Sequence, residues 1–388
     1  IKCPASEVDI ALSRLTGRPL PQTRDPKAPS SSYSPKILYG ELGFTDYICI
    51  DADVDYQPMS FQQISDDLRF LRKKMKRPIV GWHDPNFGVR FDDYMDAIED
   101  AAPGGSVEFI SESSLSILTE PHLKRLKANG FKAVLPGIES WYDMGNKSKT
   151  GKNQGIEKVH QVAEHVNLIM KYIPYVQANF VLCLDCDEGA EPFELTKKFI
   201  DLCPGAFPGF SLLTAFGRAT KLNLGLQRDG RVLPFPFHFL NNNHAINVRP
   251  MNYGWEEFYD YVIDLTSYAF SWPRIGRRFQ SNEGAIPRWM NVVRAVSSEG
   301  FGRVKYHKLI RARLESDTEL RRFFDAETRE IPTFYRDWVK KSLGRFWDAL
   351  PPGALNHNQN AYLESQAVPC RAEVKVPAAA AGDVSVSV

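Results

Sequence analysis

Nowhere in the chain do apolar residues run on for the roughly 18 positions that a membrane-spanning helix needs. There is no excess of one charge either: 48 basic and 47 acidic side chains leave a net +1 at neutral pH. Such a balance creates no field that would draw nucleic acid or an anionic membrane, and it selects no substrate by bulk charge. The N-terminus lacks the basic, apolar and small-residue sections of a signal peptide. Cysteine is scarce, with Cys3, Cys49, Cys183, Cys186, Cys203 and Cys370 scattered over 388 residues, too widely for a disulfide framework. These absences lead to the expectation of a cytoplasmic chain with reduced thiols and with no nucleic-acid or membrane partner. Its first residue is Ile1 rather than Met, which leaves room for an upstream segment.

What is present is the material of an α/β fold. Hydrophobic residues make up 43% of the chain, enough for a sizeable core in one large barrel or in two domains. Residues 1–36 are rich in Pro, Ser, Thr and Arg and read as an extended linker. Beyond them, apolar runs of strand length alternate with stretches whose apolar residues recur every three or four positions. The expected strands are 47–52, 78–83, 107–111, 131–140, 176–184 and 210–216. The helix after the first is marked by a capping box of Ser60 and Gln63, and the third by Thr119, Pro121 and a stop at Asn129-Gly130. Connections this short force parallel neighbours through right-handed crossovers. The expected fold is therefore a partial (β/α)6 barrel, TIM-like, over residues 37–217.

Past Gly217 the alternation stops. Residues 218–253 show no periodicity, and helical patterns resume at 255–272, 287–296, 304–314 and 332–350. Residues 218–350 are thus expected to form an irregular and then helical C-terminal region beside the sheet. Residues 351–388 are a tail, and 377–388 carry no pattern able to bury a face, so disorder is expected there.

Ligands of α/β sheets sit at the carboxyl ends of the strands, where the strand-to-helix loops converge. The 131–140 strand delivers Glu139 and Ser140 to that edge, where Glu139 is either a ligand contact or a cap for the following helix. His83, Asp84 and Asn86, flanked by Trp82 and Phe87, read as a loop network or as part of a site. Cys183 and Cys186 have Cys-x-x-Cys spacing, but no second pair and no His follows at metal-site spacing, so neither a disulfide nor a metal is expected on them. Asp51, Asp53 and Asp55 begin like a calcium loop, yet Tyr56 and Gln62 stand where Gly and Glu are required. Arg218 is a candidate partner for a carboxylate, whereas Lys149 and Lys152 read as solvated.

Four motifs follow one another, each at an expected strand: Leu42-Gly43 with Cys49-Ile50-Asp51, then His83-Asp84-Pro85-Asn86-Phe87, Gly137-Ile138-Glu139-Ser140 and Asp185-Cys186-Asp187-Glu188-Gly189. In that order, over residues 36–350, they resemble the radical S-adenosylmethionine enzymes, specifically the group often preceded by a cobalamin-binding domain. The resemblance implies S-adenosyl-L-methionine held by Gly137, Glu139, Ser140, His83, Asp84, Asn86 and Asp185. It implies a 4Fe-4S cluster with Cys49 as a ligand, an electron donor, and cobalamin only through an upstream domain. The chemistry implied is reductive cleavage of the bound sulfonium to a radical that takes hydrogen from an unidentified substrate. In that family three cysteines, spaced Cys-x-x-x-Cys-x-x-Cys, hold the cluster; here Leu42 and Asp46 occupy the other two positions. Two further readings stand beside this one: a cluster-less relic of the fold acting as a binding protein, and an unrelated barrel hydrolase or lyase using Glu139, His83 and Asp84 as acid and base groups.

Overall fold

The alternating pattern builds a wound parallel sheet. A computed structural model describes residues 59–82, 87–142, 153–215, 221–235 and 246–350. Within them β1 (Ile79–Trp82), β2 (Glu108–Ser114), β3 (Phe131–Glu139), β4 (Tyr175–Leu182) and β5 (Phe207–Leu212) pair in chain order, all parallel. Helices α1 (Phe61–Lys74), α2 (Phe91–Ala101), α3 (Glu120–Ala128), α4 (Gly155–Met170) and α5 (Glu191–Leu202) alternate with these strands. Each strand lies beside its sequence neighbour without the order reversal of a doubly wound sheet, which is the winding of an α/β barrel wall. The expected first strand, 47–52, lies outside the described residues, within which the sheet has five strands.

Local signals account for most boundaries. Ser60 accepts the Gln63 backbone N–H at 3.2 Å and starts α1. Thr119 precedes α3 with Pro121 in the first turn, although its hydroxyl makes no cap hydrogen bond and the backbone carbonyl receives the Leu123 N–H instead. The strand expected at 210–216 starts three residues earlier, at Phe207. Among the described strands β5 pairs only with β4, and an edge strand tolerates Pro208, which offers no N–H. Strand β3 continues through Pro136-Gly137 to Glu139 by a register shift between Gly137 and Glu139.

The two faces of the sheet differ. One is buried: Phe109, Val134, Ile138, Val176, Phe180 and Phe210 each expose 3% or less. Trp141, Phe180 and Phe199 form a ring cluster there with centroids 5.4–5.6 Å apart, and the Trp141 indole N–H donates to Thr196 Oγ1 at 2.8 Å. Burying each such side chain contributes about 1.5–3 kcal/mol, so this layer dominates the stability of the sheet. On the opposite face Ile110 and Glu112 are exposed, and Ser114, Leu135, Gly137, Glu139, Gln177, Asn179, Val181, Gly209 and Ser211 are half-buried.

The C-terminal region contains α6 (Lys221–Arg228), α7 (Trp255–Ala269), α8 (Trp272–Ser281), α9 (Ala285–Val296), α10 (Arg303–Ser316), α11 (Thr318–Phe324) and α12 (Thr333–Leu343). The single helix expected over 255–272 is interrupted because Pro273 sits in the first turn of a new one, α8, where its missing N–H costs nothing. Residues 218–253, expected to be irregular, hold α6 and one antiparallel bridge, Val232 with Val248. Helix α7 packs on α5 and α10 and so joins the region to the sheet layer. The Arg303 side chain reaches from α10 to the Phe210 carbonyl in β5. Among the described residues no helix is long and apolar enough to cross a membrane.

Candidate functional site

Parallel registration lines up residues of successive strands on the same face. Ser114 pairs with Gly137, Gly137 with Asn179, and Asn179 with Gly209. The half-buried face is therefore crossed by a row reading Ser, Gly, Asn, Gly over four adjacent strands. Side chains from neighbouring positions lean into the space the glycines leave. A Cβ on Gly209 would meet Asn179 Oδ1 at 2.3 Å and Gln177 Nε2 at 2.7 Å, and one on Gly137 would meet Glu139 Oε1 at 2.5 Å. The result is a backbone trough that a carboxylate and two amides fill. Gln177 donates to Asn179 Oδ1 at 2.6 Å, and Asn179 donates to the Leu135 carbonyl at 3.2 Å, which fixes both amides.

At the carboxyl edge two adjacent chain segments enter left-handed backbone conformation without glycine: Glu139 at φ 66° and Cys183 at φ 75°. Each such residue costs on the order of 1–3 kcal/mol and persists where its surroundings over-determine it. Those surroundings are a buried polar network behind the edge. Ser140 Oγ donates to Asp187 Oδ1 at 2.9 Å and accepts the Tyr142 N–H at 3.1 Å, while Asp187 Oδ2 accepts the Leu184 N–H at 3.1 Å. The buried Lys158 ammonium donates to the Ser140 carbonyl at 2.6 Å and to the Tyr142 carbonyl at 3.3 Å. Asn252 donates to the carbonyls of Asp185 and Asp187, and Tyr253 donates to that of Gly189. Burial of Asp187 raises its pKa to about 6, against the opposing pull of the Ser140 and Leu184 hydrogen bonds.

These contacts sort the residues expected from the sequence. Glu139 and Asp185 do share the carboxyl edge, and Gly137 lies in the trough. Ser140 points away from the trough, 4% exposed, with its hydroxyl committed to Asp187. Asp185 is engaged by Arg231 in a two-pronged pair at 2.6 and 2.7 Å. Cys49, His83, Asp84 and Asn86, with Lys149, Lys152 and Arg218, lie outside the described residues. Sequence reasoning missed Asn179, Gln177 and Gly209. Their signal was the alternation in Gln177-Ala178-Asn179, polar at every second position of the strand expected at 176–184. Lys158, Arg231 and Asn252 had no local signal, because long-range folding brings them to the edge.

A 4Fe-4S cluster needs thiolates, and the cysteines among the described residues fit it poorly. Cys183, Cys186 and Cys203 are free, and burial pushes the pKa of each thiol up, that of Cys203 to about 12, which favours the protonated form. Among the described residues no group of three His, Cys, Asp or Glu side chains is placed to hold a metal. Along the trough stand a carboxylate, an acceptor of hydrogen bonds, and two amides, each both donor and acceptor.

No protein-family model matches the chain, and no curated protein does. Among solved structures it is similar to a radical S-adenosylmethionine methyltransferase from Kitasatospora setae, solved with cobalamin and a 4Fe-4S cluster bound, at 13% identity and a TM-score of 0.34. The match covers 44% of this chain and spans about a third, 34%, of that one. At that TM-score the likeness says nothing of this chain's chemistry.

Proposed function

We propose that this chain is a radical S-adenosylmethionine-type barrel that binds S-adenosylmethionine in the trough and works as a cluster-less binding protein. The observation that carries the proposal is the Ser114–Gly137–Asn179–Gly209 row with the Glu139 carboxylate folded over it. A ligand entering the trough would displace the Glu139 carboxylate from over Gly137 and meet the amides of Gln177 and Asn179, which would orient it. The motif order from Cys49 to Gly189 supports S-adenosylmethionine as that ligand. A second reading, the radical enzyme itself, is favoured by Cys49 on the expected first strand. A cluster bound there would supply the electron that cleaves the sulfonium, and the residues described would hold and shield the ligand.

Two measurements on one preparation separate the readings. Calorimetric titration with S-adenosylmethionine is expected to show saturable binding at one site per chain. Anaerobic reconstitution with iron and sulfide is expected to leave the protein colourless. Absence of binding would overturn the proposal. Incorporation of about four irons per chain, with a brown colour, would replace the binding protein by the radical enzyme.

A further inference from the structure

At the amino edge of the sheet, opposite the trough, helix α8 presents three guanidinium groups to the end of α5. Arg274, Arg277 and Arg278 stand three and four positions apart on one helical face. With Ile200 and Pro204 they line a narrow crevice where the chain leaves α5 for β5. Among the described residues one carboxylate faces them. Asp201 binds Arg274 at 2.5 Å and Arg277 at 3.5 Å, and accepts the Tyr268 hydroxyl at 2.6 Å. Two of the arginines thus share a single acid, and Arg274 spends a further N–H on Tyr268, over whose ring it lies.

Arg278 is left without an acid. Its side chain is 1% exposed; Nη2 donates to the Ala269 carbonyl at 2.6 Å, while among the described residues Nε and Nη1 have no hydrogen-bond partner. Burial lowers its pKa to about 10, which leaves it charged at neutral pH. The Phe270 ring, 5.8 Å away, offers a weak cation–π contact but no counter-charge. A buried cation that lacks both a counter-charge and a full set of acceptors is costly, and the crevice is too narrow for a water molecule to hydrate it. Three guanidinium groups against one carboxylate leave two positive charges, which one dianion balances. We infer that the crevice is a binding site for a phosphate dianion, received by the unpaired N–H groups of Arg278, with Arg274 and Arg277 turning from Asp201 onto its other oxygens. Arg277 is half exposed and its contact with Asp201 is long, so it swings aside to admit the ligand. The other walls, Ile200 and Pro204, carry no charge to oppose it.

Calorimetric titration of the full chain with inorganic phosphate at constant ionic strength is expected to show one saturable site per chain, with no response to chloride. Absence of saturable binding below about 10 mM, or an equal response to chloride, overturns the inference. Phenyl phosphate separates two sources of the same dianion. Binding tighter than that of inorganic phosphate assigns the site to a phosphomonoester whose organic part lies on Ile200 and Pro204, and equal or weaker binding assigns it to free phosphate. Arg278→Met keeps the apolar stem and is expected to lose the site while retaining its circular dichroism. Should that variant not fold, Arg277→Gln, at a half-exposed position, is expected to bind phosphate about tenfold more weakly. Asp201→Asn provides a check of opposite sign. It removes the acid that competes for Arg274 and Arg277, so phosphate should bind severalfold more tightly even where the lost ion pairs lower the melting temperature. Unchanged affinity in Arg277→Gln, or weaker binding in Asp201→Asn, would mean that the arginines only dock α8 on α5.

Discussion

The Glu139 carboxylate lies over Gly137 while its backbone sits at φ 66°, and the two facts make opposite predictions for two substitutions. Glu139→Gln keeps the size and one acceptor oxygen but removes the charge that strengthens hydrogen bonds to a ligand. S-adenosylmethionine should then bind tenfold or more weakly, a loss on the order of 1.5–3 kcal/mol, with the melting temperature unchanged. Glu139→Gly removes the carboxylate and also relieves the left-handed strain, so it should abolish binding while stabilising the fold by about 1 kcal/mol. Calorimetry beside thermal melting reads both. If each variant lowers affinity and melting temperature together, Glu139 is a structural cap, which is the other role its position at a strand end allows.

At the scale of elements, the loops after β3 and β4 are tied by one carboxylate, Asp187, bound to Ser140 in the first loop and Leu184 in the second. Burial raises its folded pKa from the ordinary 3.8 to about 6. A raised pKa means that the folded state prefers the protonated group. The stability linked to it is fully present below about pH 4 and is lost as pH rises towards 6, by on the order of 3 kcal/mol. The melting-temperature difference between wild type and Asp187→Asn should therefore shift between pH 4 and 6 and stay constant above, with the wild type relatively weaker at the higher pH. Parallel melting curves across that range would show that Asp187 titrates normally. The tie also marks how far the sequence could be read. Strands β2 to β4 were legible because apolar runs bounded by Gly, Pro and Asn have few other uses, and Glu139 was legible because it ends one. Asp187 stood in a recognised motif, yet its partner lies 47 residues away, and the trough depends on a register in which Gly137, Asn179 and Gly209 meet across three strands. Local pattern encodes which residues form a strand, but the alignment between strands is decided by packing.

For the whole molecule, the net charge of +1 and the arginine crevice bear on the same property. Near-zero net charge gives the chain no long-range field to gather anions, so phosphate must be held by the local guanidinium groups alone. A ligand that binds only the folded chain stabilises it by mass action. Phosphate at roughly a hundred times its dissociation constant then favours the folded chain by about 2.7 kcal/mol, which for a chain of this size raises the melting temperature by about 3 °C. The wild type is expected to show that rise, and Arg278→Met to melt at one temperature with or without phosphate. The same scans with saturating S-adenosylmethionine separate the two sites, since the trough and the crevice share no residue and lie at opposite edges of the sheet. S-adenosylmethionine should raise the melting temperature of wild type and Arg278→Met by equal amounts, and its effect should add to that of phosphate. An S-adenosylmethionine effect that disappears in Arg278→Met would mean that the two sites are coupled through β4 and β5. A wild-type melting temperature that ignores phosphate would mean that the arginines hold α8 against α5 and bind no dianion.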